Sequence, residues 1–139
     1  MEKYYSKIQK DKLLHIINRF SDIKDIGQRI NIVPENNFIQ CSALKMENNK
    51  TFPPHKHITK ERHYNEQIAQ ESWIVIKGKV KCKFYDLNDE LLAEPILEEG
   101  DASFTLYGGH TYEILEEGTV VYEYKTGPYE GQKLDKVFI

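Results

Sequence analysis

The sequence predicts an all-β protein, a sandwich or barrel of short strands, preceded by one N-terminal α-helix. Nine Tyr, six Phe and many Val and Ile favour strands, and Gly and Asn stand at the breaks between them. From residue 29 onward, turn clusters separate the strand-like segments about every eight to twelve residues, which is typical of sandwiches and barrels. Before residue 27 the apolar residues recur at helical spacing instead.

The N-terminal apolar residues have the spacing of an amphipathic helix. They are Leu13, Leu14, Ile16, Ile17, Phe20 and Ile23, with polar residues among them. We expect about three helical turns, capped by Ser6 or Asp11 and packed on a sheet or on a partner subunit. His15 lies beside the apolar stripe and is interpreted as a boundary histidine. Residues 1–30 are therefore assigned to a helical arm and residues 31–139 to a β domain.

The remaining elements are predicted as strands separated by turns. The strands are expected at residues 29–33, 38–46, 71–76, 79–85, 91–97, 102–107, from 110 to about 114, and at 119–125. Residues 58–70 are polar and form a loop, either a lid or the extended tip of a hairpin.

Lys77-Gly78 predicts a two-residue hairpin turn between the third and fourth of these strands. The expected register places Val75 opposite Val80, Trp73 opposite Cys82 and Glu71 opposite Phe84 on one apolar face, with Lys79, Lys81 and Lys83 on the solvated face. Glu71 would then point into the core. Because an unpaired buried carboxylate is costly, we expect Glu71 to bind a metal or a hydrogen-bonding partner.

Composition excludes several classes of function. The chain has 139 residues, 29% of them charged, and a net charge of -3, so it has no electrostatic footprint for nucleic acid or for a membrane surface. No apolar run approaches the ~20 residues of a membrane span, and the N-terminus lacks the apolar core of a signal peptide. We expect a soluble, cytoplasmic, single-domain protein.

Three histidines and one glutamate form a candidate metal site. His55 and His57 share one face if their segment is extended, because strand side chains alternate. Glu71 opens an apolar run, and His110 follows a pair of glycines. Three imidazoles and a carboxylate are a sufficient ligand set for one divalent transition metal, and Fe, Mn, Ni, Co, Cu and Zn all fit it.

These residues resemble the two motifs of the cupin superfamily. The first motif has two histidines flanking one residue, then a glutamate, then a glycine; the second opens with Gly-Asp and continues to a histidine near a glycine. The matching residues are His55, His57, Glu71 and Gly78, then Gly100-Asp101 and Gly109-His110. The resemblance covers roughly residues 38 to 125 and implies a cupin-type double-stranded β-helix (a jelly-roll barrel) with the metal inside it.

The chain departs from the family pattern at three places. The gap between His57 and Glu71 is longer than usual, and Glu61 stands at the usual offset without a glycine at the right distance after it. Glu71 is preferred, because inserted loop residues leave the register of the flanking strand intact. In the second motif Leu106 replaces the usual proline, the chain is one residue short before the histidine, and Ile114 replaces the closing asparagine.

The Gly-Gly-His form, residues 127–131 and residues 135–136 are similar to a subgroup of small cupins encoded among bacterial surface-polysaccharide genes. That resemblance implies metal-dependent, isomerase-type chemistry on a small organic ligand such as a sugar or nucleotide-sugar, with His63 and Tyr112 as candidates for moving the proton. An Fe(II)-dependent dioxygenase and a non-catalytic ligand-binding or regulatory module are the alternatives. Exposed sheet edges and the helical arm predict a homodimer.

Overall fold

The computed structural model describes residues 1–25, 29–57, 68–127, 131 and 135–139. In this part of the chain, eleven strands and one short 3-10 helix, Phe20–Asp25, are present. The strands are β1 (Glu2–Tyr5), β2 (Leu13–Asn18), β3 (Arg29–Asn31), β4 (Ser42–Leu44), β5 (Glu71–Lys77), β6 (Val80–Tyr85), β7 (Leu91–Ala93), β8 (Ile96–Leu97), β9 (Ala102–Thr105), β10 (His110–Ile114) and β11 (Val120–Lys125).

The strands form antiparallel sheets, which confirms the all-β prediction. A five-stranded sheet has the order β1-β2-β9-β5-β11, and a four-stranded sheet has the order β10-β6-β7 with β8 also paired to β6. Strands β3 and β4 form a separate pair. None of the helical structure in the described residues is long and apolar enough to cross a membrane.

The five-stranded sheet carries an apolar core on each of its faces. The core shared with the four-stranded sheet contains Ile17, Val75, Val80, Cys82, Phe84 and Leu97. The core on the opposite face contains Ile16, Ile32, Val33, Ile39, Ala43, Ala102, Phe104 and Leu106. Each large apolar side chain buried in this way contributes about 1.5–3 kcal/mol, so the two cores hold three layers together.

The predicted N-terminal helix is wrong. Leu13–Asn18 form strand β2, which pairs with β1 through Ile17 and Glu2 and with β9 through Ile16 and Phe104. Because β2 is covered on both faces, its apolar residues do not alternate with polar ones, and a continuous apolar run also satisfies helical spacing. Residues 1–25 therefore contribute two strands and one short 3-10 helix.

The predicted hairpin between β5 and β6 is also wrong, although both strands exist. β5 lies between β9 and β11, whereas β6 lies in the four-stranded sheet. Gly78, at φ +87°, carries the chain from one sheet to the other. Val75 and Val80 still meet, but across the core between the sheets. Alternation along each strand determines which side chains point inward. Which strands β5 and β6 pair with depends instead on contacts between residues distant in sequence.

Candidate functional site

A polar row crosses the inner face of the five-stranded sheet. His15 is opposite Thr105, Thr105 is opposite Glu71, and Glu71 is opposite Lys125, on strands β2, β9, β5 and β11. Directly opposed residues in an antiparallel sheet project from the same face. The ring of His15 stacks on Phe84 of β6 at 4.2 Å, so this face is the one turned toward the four-stranded sheet.

Glu71 and His110 meet at the middle of the row. His110 stands on β10 of the four-stranded sheet, and its Nε2 lies 3.2 Å from Glu71 Oε1. The side chain of His110 is 23% exposed and that of Glu71 is 12% exposed, so solvent or a ligand reaches them at the edge of the core. With Nε2–H donating to the carboxylate, the contact is a charge-assisted hydrogen bond that joins the two sheets.

The electrostatic surroundings keep Glu71 ionised. Burial alone would raise the pKa of Glu71, but the hydrogen bond from His110 and the electrostatic interactions with His110, Lys136 and Lys125 outweigh burial and lower that pKa. Glu71 is therefore an anionic oxygen donor at neutral pH. Its oxygens can coordinate a divalent cation or accept a hydrogen bond from a hydroxyl group of a ligand.

His15 is a buried residue of the polar row, behind the Glu71–His110 pair. It has no exposed surface, and its Nδ1 lies 3.1 Å from Thr105 Oγ1 while its Nε2 lies 3.2 Å from the carbonyl oxygen of Tyr85. Burial lowers the pKa of His15 to about 4, and the electrostatic interaction with His110 adds to that effect. A neutral ring can donate from Nε2 to the carbonyl and accept from the threonine hydroxyl at Nδ1. The helical interpretation did not predict that His15 is buried in the core. Assigning residues 13–18 to a strand would have been needed to predict its inward direction.

Trp73 and Tyr112 form the next layer below the pair. Their rings stack at 3.9 Å, and the Tyr112 hydroxyl lies 3.1 Å from Ser103 Oγ. The Tyr112 ring is 5.5 Å from the ring of His110. Burial raises the pKa of Tyr112 well above its usual range, so this side chain stays protonated and can donate a hydrogen bond but cannot act as a base near neutral pH.

Two glycines allow the close approach that places His110. Gly108 has φ +77°, and a Cβ there would lie 2.5 Å from the carbonyl oxygen of Tyr85. A Cβ at Gly109 would lie 2.7 Å from Ile139 Cδ1. The predicted bend at Gly108-Gly109 thus brings the start of β10 against Tyr85 and the C-terminal residue.

The C-terminal residues lie beside the Glu71–His110 pair. Lys125, the neighbour of Glu71 in the polar row, binds Asp135 at 3.1 Å between Nζ and Oδ2. Lys136 interacts electrostatically with Glu71. The C-terminal segment therefore contributes both an acidic and a basic group to the rim of the site.

Of the four predicted metal ligands, the structure brings Glu71 and His110 together. His55 and His57 are exposed, their rings are 5.5 Å apart, and His55 Nδ1 contacts the carbonyl oxygen of Pro53. Across residues 1–25, 29–57, 68–127, 131 and 135–139, no three His, Cys, Asp or Glu side chains are grouped so that they could hold a metal ion. His63 and Glu61 lie outside the described residues.

No family model, curated protein or solved structure matches this chain. A sandwich of antiparallel sheets does not specify an activity, so the donor atoms of the site carry the functional interpretation. Those described together are one anionic carboxylate and one imidazole, beside the packed rings of Trp73 and Tyr112. Both suit a divalent transition metal, and both can also hydrogen-bond a polar organic ligand directly.

Proposed function

We propose that this chain binds a small organic ligand, such as a sugar or nucleotide-sugar, at the Glu71–His110 pair, and that it is a metal-dependent isomerase of the cupin type. The observation that carries the proposal is the 3.2 Å contact that unites Glu71 and His110 from two different sheets. The two residues are 39 positions apart, and both belong to the ligand set of the cupin motifs. The face-to-face packing of antiparallel sheets supports the proposed double-stranded β-helix.

Under this proposal, Glu71 and His110 would hold the metal together with His55 and His57. Glu71 supplies an ionised carboxylate oxygen and His110 supplies an imidazole nitrogen. Both atoms are common ligands of a divalent transition metal. When bound, the ion would polarise a carbonyl or hydroxyl group of the ligand. The buried, neutral His15 keeps the polar row in place, and protonated Tyr112 is available to donate a hydrogen bond. His63 is the candidate for moving the proton.

Metal content is the first test. The protein, purified without an affinity tag and reconstituted with each candidate ion, should bind about one equivalent per chain, with at least about tenfold weaker binding in Glu71→Gln, His110→Ala and His55→Ala. Glu117→Gln, which alters an exposed turn carboxylate, is the matched control and should bind as the wild type does. Folded protein that holds no ion after reconstitution would contradict the enzyme proposal.

Ligand identity is tested separately. Thermal-shift screening against sugars, nucleotide-sugars and small acids should show a rise for the true ligand, since binding to the native state stabilises it. Isomerisation of that ligand, followed by its product, should require the metal. Oxygen uptake with a ferrous ion would instead identify a dioxygenase, and absence of any rise with sugars would contradict the carbohydrate assignment.

A second candidate function is a non-catalytic ligand-binding module. It is favoured by the direct hydrogen bond between Glu71 and His110 and by the exposed positions of His55 and His57. In such a module the pair would bind the ligand by hydrogen bonds alone. Ligand binding that is unchanged by removal of metal, and unaffected by His55→Ala, would support this function over the enzyme.

A further inference from the structure

A cleft of about 430 Å³ lies at the end of β6 away from the Glu71–His110 pair. Its lining comes from residues 19–21 after β2, from Lys79 before β6, and from the segment 96–101 around the turn that leads into β9. We call it the Arg19 cleft. His110 is opposite Phe84 near the other end of β6, so about 13 Å of strand separates the two places. The volume is within the roughly 300–1,000 Å³ of small-molecule sites.

Arg19 is held rigidly in this cleft. Its Nε donates to Glu2 Oε1 at 2.6 Å, and its Nη1 donates to Asp101 Oδ2 at 2.8 Å and to the carbonyl oxygen of Ile96 at 2.5 Å. A guanidinium carries five N–H groups, and the two on Nη2 have no partner among the described residues. Nη2 is not one of the fully buried atoms without a partner in those residues, so it is open to solvent. The cleft therefore presents one fixed and unused pair of donors.

Glu98 and Glu99 supply acceptors to the same cleft. Glu98 Oε1 lies 3.1 Å from Lys79 Nζ, and Glu99 Oε1 accepts from the backbone N–H of Gly78 at 3.3 Å. These contacts orient both carboxylates through one oxygen each. Within the part of the chain that the structure describes, the second oxygen of each carboxylate accepts no hydrogen bond. An ammonium group, with three donors and a positive charge, is a strong partner for such oxygens.

Phe20 and Ile96 give the cleft an apolar surface between its polar groups. Their side chains are 55% and 43% exposed, respectively. The ring of Phe20 is supported from below by Gly100, where a Cβ would lie 2.7 Å from Phe20 Cγ. Ser21 follows Phe20 at an exposed position of the lining, and its hydroxyl can donate a further hydrogen bond. An alkyl side chain of a ligand would lose water contact against the ring and the isoleucine.

We propose that the Arg19 cleft binds a free α-amino acid with an apolar side chain. The ligand's carboxylate would accept from Arg19 Nη2 and the Ser21 hydroxyl, and its ammonium would donate to the free oxygens of Glu98 and Glu99. Its side chain would lie on Phe20. This site is separate from the Glu71–His110 pair and adds a second ligand class to the protein.

The charges of the lining favour a zwitterion over an ion of one sign. Two cations, Arg19 and Lys79, and three carboxylates, Glu98, Glu99 and Asp101, line the cleft. A ligand with a carboxylate alone would meet an excess of negative charge. A ligand with an ammonium alone would leave the guanidinium donors without an anionic acceptor. An amino acid has no net charge and provides a partner for both kinds of open group.

Three probes that share one alkyl group test the ligand class. Isothermal titration calorimetry of the full chain at neutral pH should show saturable binding of L-leucine. Binding should be at least about tenfold weaker for L-leucinamide, which lacks the carboxylate, and for 4-methylpentanoate, which lacks the ammonium. Either analogue binding as tightly as leucine would overturn the proposal. So would the absence of leucine binding up to about 10 mM.

Variants assign the two ends of the ligand. Glu99→Gln should weaken leucine binding at least about tenfold, whereas Glu117→Gln, at an exposed turn carboxylate outside the lining, should bind as the wild type does. Arg19→Lys keeps the charge but loses the planar fork, so it should reduce the preference for leucine over leucinamide. Circular dichroism verifies folding, and Ser21→Ala replaces Arg19→Lys if the latter does not fold. Unchanged affinity in Glu99→Gln, or an unchanged preference in the Arg19 or Ser21 variant, would refute these contacts.

A chelator separates this inference from the proposed function. Leucine binding should be the same with and without the chelator, because no side chain of the Arg19 cleft belongs to the predicted metal ligands. Loss of leucine binding on metal removal would assign the binding to the metal site and overturn the proposal for the cleft. Failure of the protein to bind metal leaves the leucine titration unaffected.

Discussion

Glu71 Oε1 lies 3.2 Å from His110 Nε2, and this contact joins strand β5 of one sheet to strand β10 of the other. Neither strand pairs with the other, since β5 pairs with β9 and β11 and β10 pairs with β6. The contact is therefore made by side chains across the interior. It places the two donors at the rim of the aromatic layer formed by Trp73 and Tyr112.

The pair should contribute measurably to stability. We expect Glu71→Gln and His110→Gln to be coupled by about 1 kcal/mol in a double-mutant cycle, because the bond is charge-assisted and mostly shielded from solvent. Urea unfolding of the wild type, the two single variants and the double variant gives this coupling energy. Additive effects would show that the two side chains do not interact in solution.

Stability should fall as the pH is lowered from about 6.5 toward 4. The pKa of His15 is lowered to about 4 by burial, so the unfolded chain binds a proton in this range that the folded chain does not bind. Folding free energy is then lost as pH falls through the window, by up to about 3 kcal/mol for the full shift. Urea unfolding in steps of pH measures this slope.

The matched variant for this pH dependence is His15→Asn. It should be less stable overall but should lose most of the slope above pH 4.5. Carboxylates such as Glu71, whose pKa is lowered, lose their contribution below that range. An unchanged slope in the variant would assign the pH dependence to other groups.

Two glycines with similar backbone conformations should respond differently to substitution. Gly108 and Gly118 have φ +77° and +75°, but a Cβ at Gly108 would lie 2.5 Å from the Tyr85 carbonyl oxygen, whereas a Cβ at Gly118 would have no atom within 4 Å. Both alanine variants lose about 1 kcal/mol or more to the left-handed backbone, and Gly108→Ala should lose at least about 1 kcal/mol beyond that. Equal losses in thermal or urea unfolding would contradict the close approach.

The aromatic layer is tested by removing one hydroxyl. Tyr112→Phe keeps the stack on Trp73 and removes the hydrogen bond to Ser103, so we expect a loss of about 1 kcal/mol. Tyr5→Phe, at an exposed tyrosine, should cost almost nothing. Trp73 is the sole tryptophan, so its fluorescence follows unfolding and reports the packing of this layer directly. A Tyr112→Phe protein as stable as the wild type would contradict a stabilising hydrogen bond between Tyr112 and Ser103.

The local sequence pattern was sufficient to predict most strands after residue 29 and the side chains of β5 and β6 that point inward. Val75 and Val80, Cys82 and Phe84 were expected to share an apolar environment, and all four are buried in one core. Alternation is a local property, because neighbouring side chains must point to opposite faces of any strand. The same reasoning predicted that Glu71 points toward the interior, and in the structure Glu71 contacts His110 there.

Tertiary structure alone decided which strands pair and which polar groups meet. The run Leu13–Asn18 satisfies both helical and strand periodicity, and burial on both faces selected the strand. The turn at Gly78 was compatible with a hairpin, but pairing of β5 with β9 and β11 moved β6 into the other sheet. The polar row from His15 to Lys125 has the same origin, because register between strands distant in sequence depends on packing throughout the molecule rather than on any local pattern.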